Sequence, residues 1–303
     1  EISACLVGSE MCIRDRADVI QDMVNAYNQS QDKVKVEYSS VNQTDYTTTL
    51  VTTAYANGEC PDILWVEPAT FKKFSDAEML ADLSSYYTDD LKKDILPSFL
   101  EAASGDDGKI YTLPFECETL GLFYDADALE EEGIEPPKTW EELKSAAEKL
   151  TTKDRYGIVL PVEKTAYTLF NWWPFMWMDD ADIYDADGNV TAGKDSMADA
   201  LDFWGSFYQN EYCPSSLQNG PWSIDNVANG VAAMQIGGTY MINAAEEYNK
   251  DGHNIGVVPL PSPKGKDPVT VAGGQMMAVS SQSKDVDAAC LLYTSDAADD
   301  RIS

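Results

Sequence analysis

Apolar residues recur at helical spacing early in the chain: Val19, Ile20, Met23, Val24 and Tyr27 predict a helix over residues 17–28. The spacing then changes. Val34, Val36 and Tyr38 alternate with other residues and predict a strand over residues 33–41. Residues 45–57 read as a second helix, closed by Gly58. Residues 62–66 carry a short apolar run of the kind a buried parallel strand shows. Helix, strand, helix, strand in that order is the pattern of an α/β sheet.

The alternation continues. Residues 110–113 and 119–124 are strand candidates, and Pro136-Pro137 closes a segment. Thr139 opens a helix that runs to about residue 150, with Glu142 three positions on to complete a capping box. Residues 183–190 predict a hairpin turning at Asp187-Gly188. A long amphipathic helix follows over 196–212, then strands over 232–236, 255–259 and 270–279, with a helix over 239–249 between the first two. The Pro/Gly-rich residues 259–268 are the best candidate for a crossing between lobes. No internal repeat, heptad or low-complexity linker interrupts the pattern.

Composition narrows the function. With 303 residues, 44% of them hydrophobic, the chain can bury a large core and has the length of about two domains. Its 52 acids against 21 bases give a net charge of −31. A surface so acidic repels phosphate backbones and anionic headgroups, which excludes nucleic acid as a partner. No run reaches the roughly 18 apolar residues that a membrane helix needs.

The two ends read as foreign. Arginine occurs only at Arg14, Arg16, Arg155 and Arg301, and Cys5, Cys12 and Cys290 are terminal too. LVGSEMCIRDR (residues 6–16) and CLLYTSDAADD (residues 290–300) resemble translated sequencing adapters. Residues 1–16 and 290–303 are therefore expected to be artefact, and 17–289 to be a native stretch cut at both ends, so that a missing signal segment says nothing of location. The internal Cys60, Cys117 and Cys213 show no CxxC spacing and no disulfide or zinc pattern.

Four motifs then stand in a telling order: GECPDILW (residues 58–65), GKIYTLPFECETLGLFYDADALEEEGIEPPKTWEEL (108–143), NGVAAMQIGGTY (229–240) and IGVVPLPSPKG (255–265). Together they resemble the family 1 extracellular solute-binding proteins of ABC importers, the maltose-binding-protein-like group. The resemblance implies an α/β, two-lobed type II periplasmic-binding-protein-like fold with mixed sheets, here incomplete at both termini. It implies a discontinuous N-terminal lobe (17–118 plus 267–289), a C-terminal lobe (119–266), ligand in the cleft between them, and hinge closure on binding. Residues 119–124 would be the first crossing. The first strand of such a fold is missing from 17–289, and the apolar residues 2–7 could fill its slot only by accident. The implied partners are a carbohydrate and the ABC permease subunits, with the protein a monomer in the periplasm or a cell-surface lipoprotein. No cofactor is implied.

Sugar recognition needs acceptors and donors around the ring and aromatic faces to stack on, and 7 Trp and 16 Tyr are a rich supply. Trp65 follows a strand, where α/β sheets commonly place ligands, and Glu67 lies two residues on. Glu116 and Glu118 flank the first crossing, and by the resemblance Glu118 falls on a hydroxyl-accepting position. The segment FNWWPFMW offers Trp172 or Trp173 for stacking. Trp222 sits in a loop, Tyr240 follows Gly237-Gly238 where the family's stacking aromatic lies, and Gly274 gives room for close approach. Tyr46 opens the second helix. A core or solvated role competes for each of these residues. Two rivals remain. A glycoside hydrolase could use Glu116 and Glu118, which at i, i+2 on a strand would face one side about 6–7 Å apart. The same fold could instead take a polyamine, peptide or other cationic solute. No catalytic residue is assigned: the sole His253 lies in a polar turn, and residues 183–188 lack the ligand pattern of a calcium loop.

Overall fold

The structure is a computed structural model that describes residues 2–8, 13–42, 52–185, 187–192, 195–217 and 219–294. The chain falls into two compact units, Glu1–Cys117 with Gly273–Ser303, and Glu118–Ala272.

In chain order the first unit contains β1 (Ile2–Gly8), α1 (Ile13–Ser30), β2 (Val36–Asn42), α2 (Thr52–Asn57), β3 (Ile63–Val66), α3 (Pro68–Asp76), α4 (Asp89–Asp94), α5 (Pro97–Ala102) and β4 (Thr112–Pro114). The second contains β5 (Glu118–Asp125), α6 (Ala126–Glu131), α7 (Trp140–Leu150), β6 (Tyr156–Val159), α8 (Ala166–Met178), α9 (Asp195–Gln209), α10 (Asp225–Ala228), β7 (Ala232–Gly238), α11 (Ile242–Lys250) and β8 (Ile255–Val258). After β9 (Ala272–Gly273) the chain returns to the first unit as β10 (Met276–Val279) and α12 (Val286–Thr294).

The first unit is a mixed five-stranded sheet, β2-β1-β3-β10-β4. β1 runs parallel to β2 and β3, with Ile2 opposite Val36 and Ala4 opposite Ile63; β10 is antiparallel to β3 and β4. The slot beside β3 is thus filled by residues that the sequence marked as foreign. All four residues of β3 and of β10 are buried, as strands in the middle of a covered sheet must be. The α1 periodicity divides more finely than its sequence suggested. Val24 and Tyr27 enter the core with Ile20 against it, whereas Val19 and Met23, about 100° round the helix from that face, are exposed. Three helices between β3 and β4 were not anticipated. α3 and α5 begin on Pro68 and Pro97, where a missing N–H costs nothing, and the Thr88 side chain accepts the Leu91 N–H at 3.2 Å to cap α4.

In the second unit the strand order is β6-β7-β5-β8, with β6 parallel to β7 and β5 antiparallel to both its neighbours. Every residue of β7 is buried. Both halves of the α7 capping box form: Thr139 Oγ1 accepts from Glu142 N–H at 3.2 Å, and Glu142 Oε2 from Thr139 N–H at 3.2 Å. α7 buries Leu143, Ala147 and Leu150, and it approaches β6 so closely that a Cβ on Gly157 would lie 2.0 Å from the Ala147 carbonyl oxygen. Tyr184 pairs with Val190 across the expected hairpin, and Asp185 accepts from the Asp187 and Asn189 N–H groups to shape its turn. The single strand expected over 270–279 is two, because Gly274 between them has φ +130° and cannot continue a ladder. Residues 259–268, expected to cross between lobes, lie within the second unit. They dock on the start of α7, with Ser262 N–H donating to the Lys138 carbonyl at 3.1 Å.

Candidate functional site

In the second unit the site grows from the antiparallel pairing of β5 and β7. Leu120 faces Gly238 at the end of the ladder; Glu118 opens β5 two residues before it, Tyr240 lies in the short 3-10 turn that follows β7, and the Glu118 charge acts on the Tyr240 hydroxyl. Gly237 and Gly238 then matter for space. A Cβ on Gly238 would lie 2.2 Å from Cε1 of Tyr240, and one on Gly237 2.2 Å from Sδ of Met241. The two glycines let both side chains fold back over the end of their own strand.

Tyr240 meets a residue the sequence reading missed. Its hydroxyl lies 2.7 Å from that of Tyr167, in the first turn of α8. Tyr167 also donates to the Pro221 carbonyl at 3.3 Å, and its ring stands edge-on to Trp222, centroids 5.8 Å apart and planes at 88°. Asn171, one turn along α8 and fully buried, donates from Nδ2 to the Tyr167 carbonyl at 2.8 Å. Trp222 remains 39% exposed. The protein therefore brings Glu118, Tyr240 and Trp222 together around Tyr167. A tyrosine and an asparagine at i, i+4 in a helix whose other residues, Thr168 apart, are apolar were the available signal for the missed pair.

The proton arrangement follows from the partners. A carbonyl only accepts, so Tyr167 donates to Pro221, and Tyr240 donates to Tyr167. Tyr240 Oη also accepts from the Gly238 backbone and keeps one lone pair to offer, and the Glu118 carboxylate is an acceptor as well. Burial pushes the Tyr167 hydroxyl up to about 12, aided by the Glu118 charge and opposed by hydrogen bonds with Tyr240 and Asn171. Burial also raises Tyr240 well above its ordinary value, and the neighbouring Tyr167 and Glu118 push the same way. Both tyrosines are neutral at physiological pH. The surface thus offers acceptors and aromatic edges, suited to a ligand rich in O–H or N–H donors.

The other expected residues fall elsewhere. Trp65 is 3% exposed in the core of the first unit, edge-on to Phe115 at 5.1 Å. Glu67 occupies the N-cap of α3 and accepts from Gln275 Nε2 at 3.4 Å. Glu116 N–H donates to the Gln275 carbonyl at 3.1 Å. The room that Gly274 leaves is taken by the Glu116 carbonyl oxygen, 2.0 Å from where a Cβ would stand. Trp172 is buried in the core of the second unit, and Trp173 stacks on Trp177 at 6.1 Å. Tyr46 lies outside the described residues. β5 begins at Glu118 and leaves Glu116 in the first unit, so the strand-alternation argument that would pair the two glutamates for hydrolysis does not apply. Among the described residues no cluster of His, Cys, Asp and Glu could hold a metal ion, and no helix is long and apolar enough to cross a membrane.

Two α/β units with mixed sheets and an acceptor-rich aromatic surface define the class of two-lobed solute-binding proteins. The pattern of the bacterial extracellular solute-binding protein family matches residues 22–296, and the chain belongs to that family. The match begins after the first stretch expected to be foreign and runs a few residues into the second. The chain is 25% identical over 252 residues to YcjN of Escherichia coli K12, a candidate ABC transporter periplasmic-binding protein, which covers 81% of this chain and 57% of that one. It is 28% identical over 209 residues to a maltotriose-binding protein of Pyrococcus abyssi, covering 67% and 42%. The chain thus spans about half the length of the curated relatives it matches. In fold it is similar to the GacH receptor of Streptomyces glaucescens (TM-score 0.80, 23% identity, 96% of this chain and 74% of that one). It is similar also to a solute-binding protein of Thermotoga lettingae bound with α-D-tagatose (TM-score 0.82, 21% identity, 96% and 76%).

Proposed function

We propose that the protein is the substrate-binding component of an ABC importer, and that it captures a neutral sugar or oligosaccharide outside the cytoplasm for delivery to a membrane permease. The observation that carries this reading is the Tyr167–Tyr240 hydroxyl pair at 2.7 Å, set beside Glu118 and Trp222. Glu118 and Tyr240 accept from sugar hydroxyls, and Trp222 supplies the apolar surface for a ring face. The partly exposed Glu67, Glu116 and Trp173 are further candidates for ligand contact. The maltotriose-binding relative supports a carbohydrate, as do fold neighbours solved with acarbose, tagatose, maltose and mannobiose. The protein acts as a monomer and binds without turnover.

Calorimetry with maltotriose, mannobiose, tagatose and acarbose tests this, with galacturonate and spermidine alongside. A neutral saccharide binds, is recovered intact, and loses affinity in Glu118→Gln and Tyr240→Ala. If spermidine alone binds, the cationic-solute reading replaces this one. A saccharide recovered cleaved would restore the hydrolase reading.

A further inference from the structure

The loop that carries Trp222 is held by buried amides that the proposed site does not use. β7 reads AAMQIGG, and Gln235 is its one polar side chain, 0% exposed. Its Nε2 donates to the Pro221 carbonyl at 2.5 Å. From the other side Asn226, in α10 and 1% exposed, donates through Nδ2 to the Gly220 carbonyl at 3.1 Å and the Ser223 carbonyl at 2.9 Å. The carbonyls on either side of Trp222 are thus all taken by side-chain donors beneath the loop, and Tyr167 adds a second donor to Pro221. The Trp222 indole folds back over the same turn: a Cβ on Gly220 would lie 2.2 Å from its Cε2.

Burying an amide costs about 1–3 kcal/mol unless it is hydrogen-bonded, and an apolar side chain of similar volume would fill the same space without that cost. Stability alone is therefore a weak account of Gln235 in a strand that is otherwise apolar. Location is a better one. The loop has no ladder of its own, and the amides fix where its backbone runs. We infer that Gln235 and Asn226 are positioning residues for Trp222, which clamp residues 220–223 from below and so set where the indole is presented to a ligand. The positioning itself needs no ligand; only its consequence for affinity rests on the carbohydrate reading.

The test isolates Trp222 as the fluorescence difference between a protein and its Trp222→Phe counterpart. In the otherwise unsubstituted 303-residue chain that signal shows the restricted rotation of a fixed indole; free rotation on the nanosecond scale would overturn the inference without any amide being changed. In Gln235→Met and Asn226→Leu, acrylamide quenching of the Trp222 signal rises about twofold or more, and maltotriose affinity falls about five- to tenfold, the loss of one or two hydrogen bonds' worth of placement. Leu143→Val, a core change in α7, lowers the melting temperature without moving the quenching. Equal quenching in the two folded amide variants and the parent sinks the proposal. Altered quenching with no saccharide bound by any form leaves the clamp standing and removes the carbohydrate reading instead.

Discussion

Tyr240 carries two duties through one oxygen: it donates to Tyr167 and offers its remaining lone pair to a ligand. Tyr240→Phe removes both and keeps the ring. Saccharide affinity should fall about fivefold, the worth of about 1 kcal/mol in hydrogen bonding, with the Tm nearly unchanged because Tyr167 keeps its Pro221 bond. Calorimetry and a thermal melt check both halves; unaltered affinity would remove Tyr240 from the site. Gly274 makes the opposite prediction. Its φ of +130° is one that side chains rarely adopt, and the Glu116 carbonyl occupies its Cβ position. Gly274→Ala should cost about 3 kcal/mol or more, read as a lower urea midpoint, and an unmoved midpoint would show that the Glu116 backbone yields. At this scale the candidate site, as the geometry assembles it, was half legible. Glu118, Trp222 and Tyr240 stood out as a carboxylate or aromatics beside glycines and strand ends. Tyr167 and Gln235 did not, because a tyrosine in an aromatic helix and a glutamine in a strand look ordinary until the pairing shows what they face. Trp65 shows the converse, since a large ring at a strand end is also what a core needs, and only burial distinguishes the two.

Elements were legible where local chemistry declares them. The α7 capping box is the clearest case: Thr139 and Glu142 marked the helix start, and both reciprocal bonds form. Thr139→Ala should lower stability by about 1 kcal/mol and Thr139→Ser by much less, measured as urea midpoints; equal losses would show that the side chain acts through packing and not through its oxygen. α3 to α5 escaped because they are short, six to nine residues each, too few to establish a period. Their signals were terminal instead, a proline at the first position or a threonine cap followed by two aspartates. The 270–279 strand was over-read for a related reason. Composition stays strand-like across it, whereas the break comes from one glycine angle set by the Glu116–Cys117 backbone, which is distant in sequence.

At the scale of the molecule two balances of charge set the response to solvent. Buried tyrosines are the first. Tyr87, Tyr167, Tyr208 and Tyr240 are all held by burial above the ordinary value near 10. The unfolded chain loses these protons near pH 10 while the fold keeps them, so their contribution is complete below about pH 10 and declines as pH climbs towards 12. The Tm should fall steeply over that interval, and Tyr208→Phe should flatten the fall; an equally steep fall in the variant would place the alkaline transition elsewhere. The second balance is the net charge of −31. The described ion pairs, such as Lys72 with Asp76 and Asp106, or Lys250 with Glu247, use lysines at least 35% exposed, and such pairs contribute little. Repulsion among the acids in excess is spread over the whole surface and acts over the Debye length, which shrinks from about 30 Å at 0.01 M salt to about 8 Å at 0.15 M. Screening therefore removes more repulsion than attraction. Raising sodium chloride across that range at pH 7 should raise the Tm by several degrees, and potassium chloride should match it, since the effect is general and not a cation site. A Tm that falls with salt would mean that the surface pairs outweigh the excess. A rise with sodium alone would mean that a specific ion, not screening, holds this acidic surface together.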